Sequence, residues 1–167
     1  EIVMPNTSFE RVNVEREAAG EPAFANARNS TAGSLKSLDP KITAGRGLRF
    51  IAHGRGELVG LDVGGYAAFL EIAKSYGLPI NDQAVSFDSI DAVIERVESF
   101  RKERQALGFG VDGMVIRVDR FDLQAELGAT AKAPRWAIAF KYPAEQAITT
   151  LTAVEWLVGK GGTLTPR

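Results

Sequence analysis

Two segments hold the residues best suited to chemistry: Asp112-Gly113-Met114-Val115-Ile116-Arg117-Val118 and, after a short interval, Ala137-Ile138-Ala139-Phe140-Lys141-Tyr142-Pro143. Each is a β-branched or aromatic run with one long cation in an otherwise apolar strand, where an unpaired charge is costly. Such a cation calls for an anion. Alternation puts Val115 and Arg117 on one strand face and Ala139 and Lys141 on another, so each cation lies beside a small or flat apolar residue. A purine and its phosphate would suit that pairing. For either segment alone the plainer reading is a strand-edge cation snorkelling to water; two such segments in one chain favour the anion.

A third candidate is Phe24-Ala25-Asn26-Ala27-Arg28-Asn29-Ser30-Thr31-Ala32-Gly33-Ser34-Leu35, small and polar residues around one arginine, closed by Asp39-Pro40. It reads either as a loop and short helix capped by Asn29 or Ser30, or as a close-packed frame that holds Arg28 against a phosphate. Both readings stand on the residues alone.

The elements that must position these groups follow from periodicity and punctuation. Thr7 and Glu10 have capping-box spacing, which predicts a helix from about Ser8 to Ala19 with Gly20 as its stop. Leu48 to His53 reads as a strand, and Tyr66 to Tyr76 as a helix ending at Gly77. Asp88, with Asp91 three residues on, is expected to cap a helix whose buried stripe is Ile90, Val93, Ile94, Val97 and Phe100. That helix runs through Arg101, Lys102, Glu103 and Arg104 to Gly108, its charges forming a solvated face or final-turn cations that favour the helix dipole. Asp119 and Asp122 open a short helix through Leu127, and Val154 to Pro166 reads as a hairpin. The order of strands and helices indicates an α+β fold with largely antiparallel sheets.

Composition narrows the classes. The chain has 167 residues, 45% of them hydrophobic, enough for one core. It has no cysteine and one histidine, which excludes a disulfide framework, a thiolate zinc site and a histidine cluster. No apolar run is long enough for a membrane span, and the opening residues lack the basic and apolar regions of a signal peptide, so a cytoplasmic setting without membrane contact is expected. The net charge of −1 gives no global attraction to nucleic acid; Arg46, Arg49 and Arg55, or Lys132 and Arg135, would have to form a local patch. With no methionine before Glu1 and a second hairpin strand barely begun at the other end, both ends look cut.

Taken in order, these segments resemble the adenylation (nucleotidyltransferase) domain of bacterial NAD⁺-dependent DNA ligases. The resemblance rests on Glu1-Ile2-Val3-Met4-Pro5, Phe24 to Asn29, Ala32-Gly33-Ser34-Leu35, Leu38-Asp39-Pro40-Lys41-Ile42-Thr43, Asp112 to Val118, Ala133 to Pro143, and Gly159-Lys160-Gly161-Gly162-Thr163-Leu164-Thr165-Pro166. It implies the nucleotidyltransferase (ATP-grasp-like DNA ligase) fold, with 1–147 as the C-terminal part of the adenylation domain and 148–167 as a linking strand and the start of an oligonucleotide-binding (OB-fold) domain. It also implies a lysine that attacks the α-phosphate of NAD⁺, releases nicotinamide mononucleotide and keeps AMP as a lysyl phosphoramidate. The AMP then passes to the 5′-phosphate of nicked duplex DNA. By position, Glu1 resembles the acidic end of the family's Arg-Gly-Glu strand, Arg28 its Asn-Pro-Arg-Asn arginine, and Arg104 the arginine before its Gly-Phe turn. Asp112 resembles the carboxylate of metal (Mg²⁺) and phosphate chemistry, Val115 and Arg117 the residues facing adenine and its phosphate, and Lys141 the lysine beside the α-phosphate. A monomer is expected.

Departures qualify the resemblance. Arg117 stands where lysine is usual, and a guanidinium is not equivalent to an ammonium. Ala27 replaces a common proline, and Lys160-Gly161-Gly162 replaces Arg-Thr-Gly in a hairpin expected to face DNA. His53 stands where the family has an aromatic residue or histidine, and either lines the adenine pocket or is a hydrogen-bonded structural residue. No Lys-x-Asp-Gly occurs in the 167 residues, so the nucleophilic lysine is absent and the chain is expected to be inactive alone. The alternatives are an ATP-dependent nucleotidyltransferase of the same superfamily, against which the Phe24 to Thr43 stretch speaks, and a non-catalytic nucleotide- or DNA-binding module.

Overall fold

The computed structural model describes residues 1–143 and 148–167. Helices and three two-stranded antiparallel sheets make an α+β arrangement. The boundary expected at residues 147 and 148 touches residues outside the described ones.

The sheet that carries the motif residues pairs β3 (Gly113–Arg117) with β4 (Ala137–Lys141), in the register Gly113↔Lys141, Val115↔Ala139, Arg117↔Ala137. Residues directly opposite in an antiparallel pair point to the same side. Val115, Arg117, Ala139 and Lys141 therefore share one common face, where each strand's alternation alone had suggested two. Gly113 makes the pairing possible: a Cβ there would run into the Phe140 carbonyl and lie 3.0 Å from the Lys141 Cα.

Just past β4 the chain meets α5 (Ile90–Glu103), where Val97 and Phe100 are buried, while Ile138 and Phe140 on the opposite face stay exposed. The buried Tyr142 fastens sheet to helix: its hydroxyl donates to the Val97 carbonyl at 2.5 Å and sits 3.4 Å from Met114 Sδ. Burial raises the Tyr142 pKa, against the pull of the Arg104 and Arg96 cations. A raised pKa means that the contribution of the protonated hydroxyl is full below the unfolded value, about 10, and is lost as pH rises through the folded one. Tyr142→Phe is accordingly expected to cost about 1 kcal/mol at pH 7, and less at pH 11, in urea unfolding curves.

Capping differs from the periodicity-based expectation in four places, each for a local reason. Helix α1 (Asn6–Ala18) opens directly after Pro5, so Thr7 lies inside its first turn and the Thr7/Glu10 box does not form; the Asn6 N–H goes instead to the Gly108 carbonyl at 2.7 Å. Helix α2 (Ala27–Leu35) is capped by Asn26, whose side chain accepts from the Asn29 N–H at 2.8 Å, and not by Asn29 or Ser30; α3 (Pro40–Gly45) follows it, capped by Asp39. In α5 the cap is Ser89, immediately before the first helical residue, while Asp88 lies one residue too far out. Asp119 does not open α6 (Phe121–Leu127), which has no side-chain cap; its carboxylate accepts from the Ala67 N–H, at 2.8 Å, in the first turn of α4 (Tyr66–Ser75).

The α5 stripe is also only half covered, since Ile90 and Ile94 are 66% and 50% exposed. The strand expected over 48–53 is shorter: β1 (Ile2–Val3) pairs antiparallel with β2 (Arg49–Phe50), and Ala52 makes a single parallel bridge to Ile80. The expected hairpin forms as β5 (Trp156–Val158) and β6 (Leu164–Pro166), with outward, exposed side chains.

Candidate functional site

Three chain segments converge at the end of β3 where Gly113 faces Lys141. A 3₁₀ turn, Arg104–Leu107, closes at Gly108, whose φ of 73° suits a residue without Cβ. The chain then runs through Phe109, Gly110 and Val111 into β3. Together with Asn6 at the start of α1, these segments enclose a concavity of about 660 Å³ lined by Arg104, Asp112, Lys141 and Tyr142, among others.

Arg104 is held firmly in this concavity. Its Nη1 donates to the Val111 carbonyl at 3.0 Å, and its guanidinium carbon lies 5.1 Å from the Tyr142 ring centre. Its buried Nε has no hydrogen-bond partner among the described residues. Asp112 enters β3 with an exposed side chain, while its backbone carbonyl accepts from Tyr142 N–H at 3.1 Å and so extends the β3–β4 pairing. Lys141 ends β4 directly across from Gly113, with its side chain exposed.

Arg28 approaches Asp112 from α2. Its Nη1 lies 3.9 Å from Asp112 Oδ2, with the two side chains 89% and 77% exposed. At that distance and exposure the pair is worth at most about 1 kcal/mol, so neither partner is committed to the other. Of the small residues around Arg28, those on one side of α2 pack closely, while Ala25, Ala32 and Gly33 are exposed. Ser30, Thr31 and Ser34 are buried, and the Thr31 and Ser34 hydroxyls bond back to the Ala27 and Ser30 carbonyls at 2.8 and 2.7 Å. The loop before α2 is gripped by Asn13, which donates to the Phe24 carbonyl and accepts from its N–H, while Arg16 covers the Phe24 ring at 4.1 Å. The segment is the short helix of the first reading, capped by Asn26 in place of Asn29 or Ser30, and its Arg28 is exposed and lies near Asp112.

Arg104 and Lys141 thus line a concavity holding one carboxylate, Asp112, and Arg28 approaches that carboxylate from outside the lining. Three cations to one anion favour a ligand with further negative charge, such as a phosphate. Among the described residues no cluster of three histidine, cysteine or acidic side chains is placed to cage a metal ion. A single exposed carboxylate fits Mg²⁺, which is commonly held by one or two carboxylates and completed by phosphate oxygens and water.

The remaining expected residues are not at this cavity. Val115 and Arg117 continue the same sheet face away from Lys141; at roughly 3.3 Å per residue, Arg117 lies about 13 Å along the strand from Gly113. Val115 is half exposed opposite Ala139, a flat apolar platform between the two ends. Arg117 is half-buried, and its guanidinium carbon lies 4.0 Å from the Tyr66 ring centre and 5.9 Å from that of Trp136. Glu1 is exposed beside β1 and is not among the residues lining the concavity; its carbonyl accepts from Ile51 N–H at 2.9 Å. His53 is exposed, and its carbonyl accepts from the Tyr66 hydroxyl at 3.0 Å. Sequence reasoning missed Asn6, Tyr66 and Tyr142, for which the only sign was position beside a glycine turn or a motif strand.

Comparison with known proteins bears on what this arrangement is for. Residues 1–145 match the family model described as the NAD-dependent DNA ligase adenylation domain. The chain is similar to proteins named DNA ligase from Brevibacillus brevis (45% identical, 99% of this chain and 25% of that protein), Rhodospirillum rubrum (45%, 99% and 24%) and Desulforamulus reducens (46%, 99% and 25%). It spans about a quarter of the length of these curated relatives.

Proposed function

The chain belongs to the NAD-dependent DNA ligase adenylation domain family, and on that premise we propose that it forms one wall of the nucleotide-transfer site of a bacterial DNA ligase that seals nicked duplex DNA in replication and repair. The observation that carries this reading is that Arg104, Asp112 and Lys141 line one concavity at the end of a flat apolar sheet face, with Arg28 3.9 Å from Asp112. The phosphate end of NAD⁺ lies at that concavity and the adenine lies along Val115 towards Arg117. Glu1 contributes from β1 at the adenosine side.

In phosphoryl transfer the protein mainly positions groups and neutralises charge, with little covalent chemistry of its own. Arg104, tied to Val111, provides a preorganised cation that needs no reordering when charge develops. Lys141 and Arg28 add exposed cations, and Asp112 is the residue that would hold Mg²⁺. When bound, Mg²⁺ supplies charge neutralisation at the phosphate oxygens. These cations also lower the pKa of an approaching lysine, which makes its neutral, nucleophilic form more available.

Residues 1–147 make up the C-terminal part of a nucleotidyltransferase fold, and 148–167 link it to an OB-fold domain. The enzyme works as a monomer in the bacterial cytoplasm. Among the described residues no helix is long and apolar enough to cross a membrane.

The attacking lysine lies outside these 167 residues, none of which form a Lys-x-Asp-Gly sequence. Incubated with NAD⁺ labelled in its adenylate, the chain alone is expected to take up no covalent label. The intact ligase that carries it is expected to be labelled on a lysine elsewhere. A labelled lysine within the 167 residues would overturn this assignment.

A further inference from the structure

Arg117 is held in place from two directions. Trp136 arrives with the sheet itself: it precedes β4, and its carbonyl accepts from Val118 N–H at 2.9 Å. Tyr66 comes from α4, a distant part of the chain, and something must bring it beneath the guanidinium. That residue is Asp119. Its backbone carbonyl accepts from Tyr66 N–H at 3.0 Å and its Oδ1 from Ala67 N–H at 2.8 Å, while Phe121 N–H returns a bond to the Gly64 carbonyl at 3.0 Å. Gly65 lies against the Asp119 carboxylate so closely that no Cβ would fit between them. At its far end the Tyr66 hydroxyl donates to the His53 carbonyl, so the ring is pinned at both ends.

We infer that Asp119 and Tyr66 are positioning residues for Arg117: Asp119 caps α4 from the exit of β3, and the Tyr66 ring so placed holds the Arg117 guanidinium flat, with an edge free for the base end of the nucleotide. The inference rests on the reading of this sheet face as a nucleotide site. A planar guanidinium can stack through its face and donate from its edge at once, whereas an ammonium is a compact, strongly hydrated charge without that division. The aromatic seat therefore accounts for arginine at a position where the family resemblance leads one to expect lysine.

The test is made in the intact ligase, by following self-adenylation with NAD⁺ and separating KM from kcat. Tyr66→Ala is expected to raise KM for NAD⁺ about fivefold, the loss of a partly desolvated cation–π contact, with kcat little changed. Asp119→Ala should do the same. Tyr66→Phe, which keeps the ring, and Asp119→Asn, which keeps an acceptor oxygen, should restore KM to within about twofold of wild type, as a conserved stack requires. Arg117→Lys should raise KM despite preserving charge. In a double-variant cycle, Tyr66→Ala should add nothing to Arg117→Ala, because both remove one interaction. If Tyr66→Ala fails to fold, Tyr66→Leu carries the same comparison. Additive effects, or a wild-type KM for Tyr66→Ala beside a raised KM for Arg117→Ala, would overturn the inference while leaving the nucleotide site intact. An unchanged KM for Arg117→Ala would instead remove the base-end reading, and the inference with it.

Discussion

Lys141→Ala is expected to slow self-adenylation of the intact ligase by about 10²- to 10³-fold, the loss typical of one preorganised donor at developing charge. The structure separates this loss from a folding defect. Lys141 ends β4, its side chain is exposed, and its backbone pairing with Gly113 does not depend on the ammonium. Alanine already occupies positions 137 and 139 of the same strand face. Circular dichroism and thermal melting should therefore be unchanged, while rapid-quench measurement with adenylate-labelled NAD⁺ shows the drop. Lys141→Arg should recover part of the rate, since it restores charge with a different geometry. An Ala variant that adenylates at the wild-type rate would remove Lys141 from the site.

How much of this site the sequence discloses depends on the range of the interaction. The two motif strands are legible because alternation and β-branched composition are local. Their union on one face is not, because alternation sets which residues share a side of each strand but says nothing of the register between strands. Gly113↔Lys141 pairing decides that, and it depends on the missing Cβ of Gly113. Asp119 shows the same limit for caps. Next to Phe121 and Asp122 it has the composition of a helix opener, yet its carboxylate serves α4, because the backbone of 119–121 runs beside 64–66 and places the open N–H groups of α4 within reach. Spacing also marks Ile90 and Ile94 as one side of an amphipathic helix without saying how much of that side another element covers. Arg28 and Asp112 are separately recognisable by type and surroundings; only the packing of α2 shows that they meet.

That meeting gives a second large prediction a clear alternative to defeat. Asp112→Asn keeps the shape and one acceptor oxygen while removing the charge. It is expected to lower the rate of nucleotide transfer by about 10³-fold, in line with the several kcal/mol that a metal ion at the phosphate supplies, and to raise the Mg²⁺ concentration needed for half-maximal rate. The competing account is that Asp112 matters only as the partner of Arg28. Magnitude decides between them. An exposed pair at 3.9 Å is worth at most about 1 kcal/mol, roughly fivefold in rate, so its loss falls far short of a thousandfold effect. If Asp112 only restrains Arg28, then Asp112→Asn cannot be worse than Arg28→Ala, and their combination should equal Arg28→Ala alone. If Asp112 acts on phosphate and metal directly, Asp112→Asn shows a changed Mg²⁺ dependence that Arg28→Ala does not. An Asp112→Asn rate within about fivefold of wild type, with the Mg²⁺ profile unmoved, would leave the carboxylate as a partner for Arg28 and place the metal elsewhere.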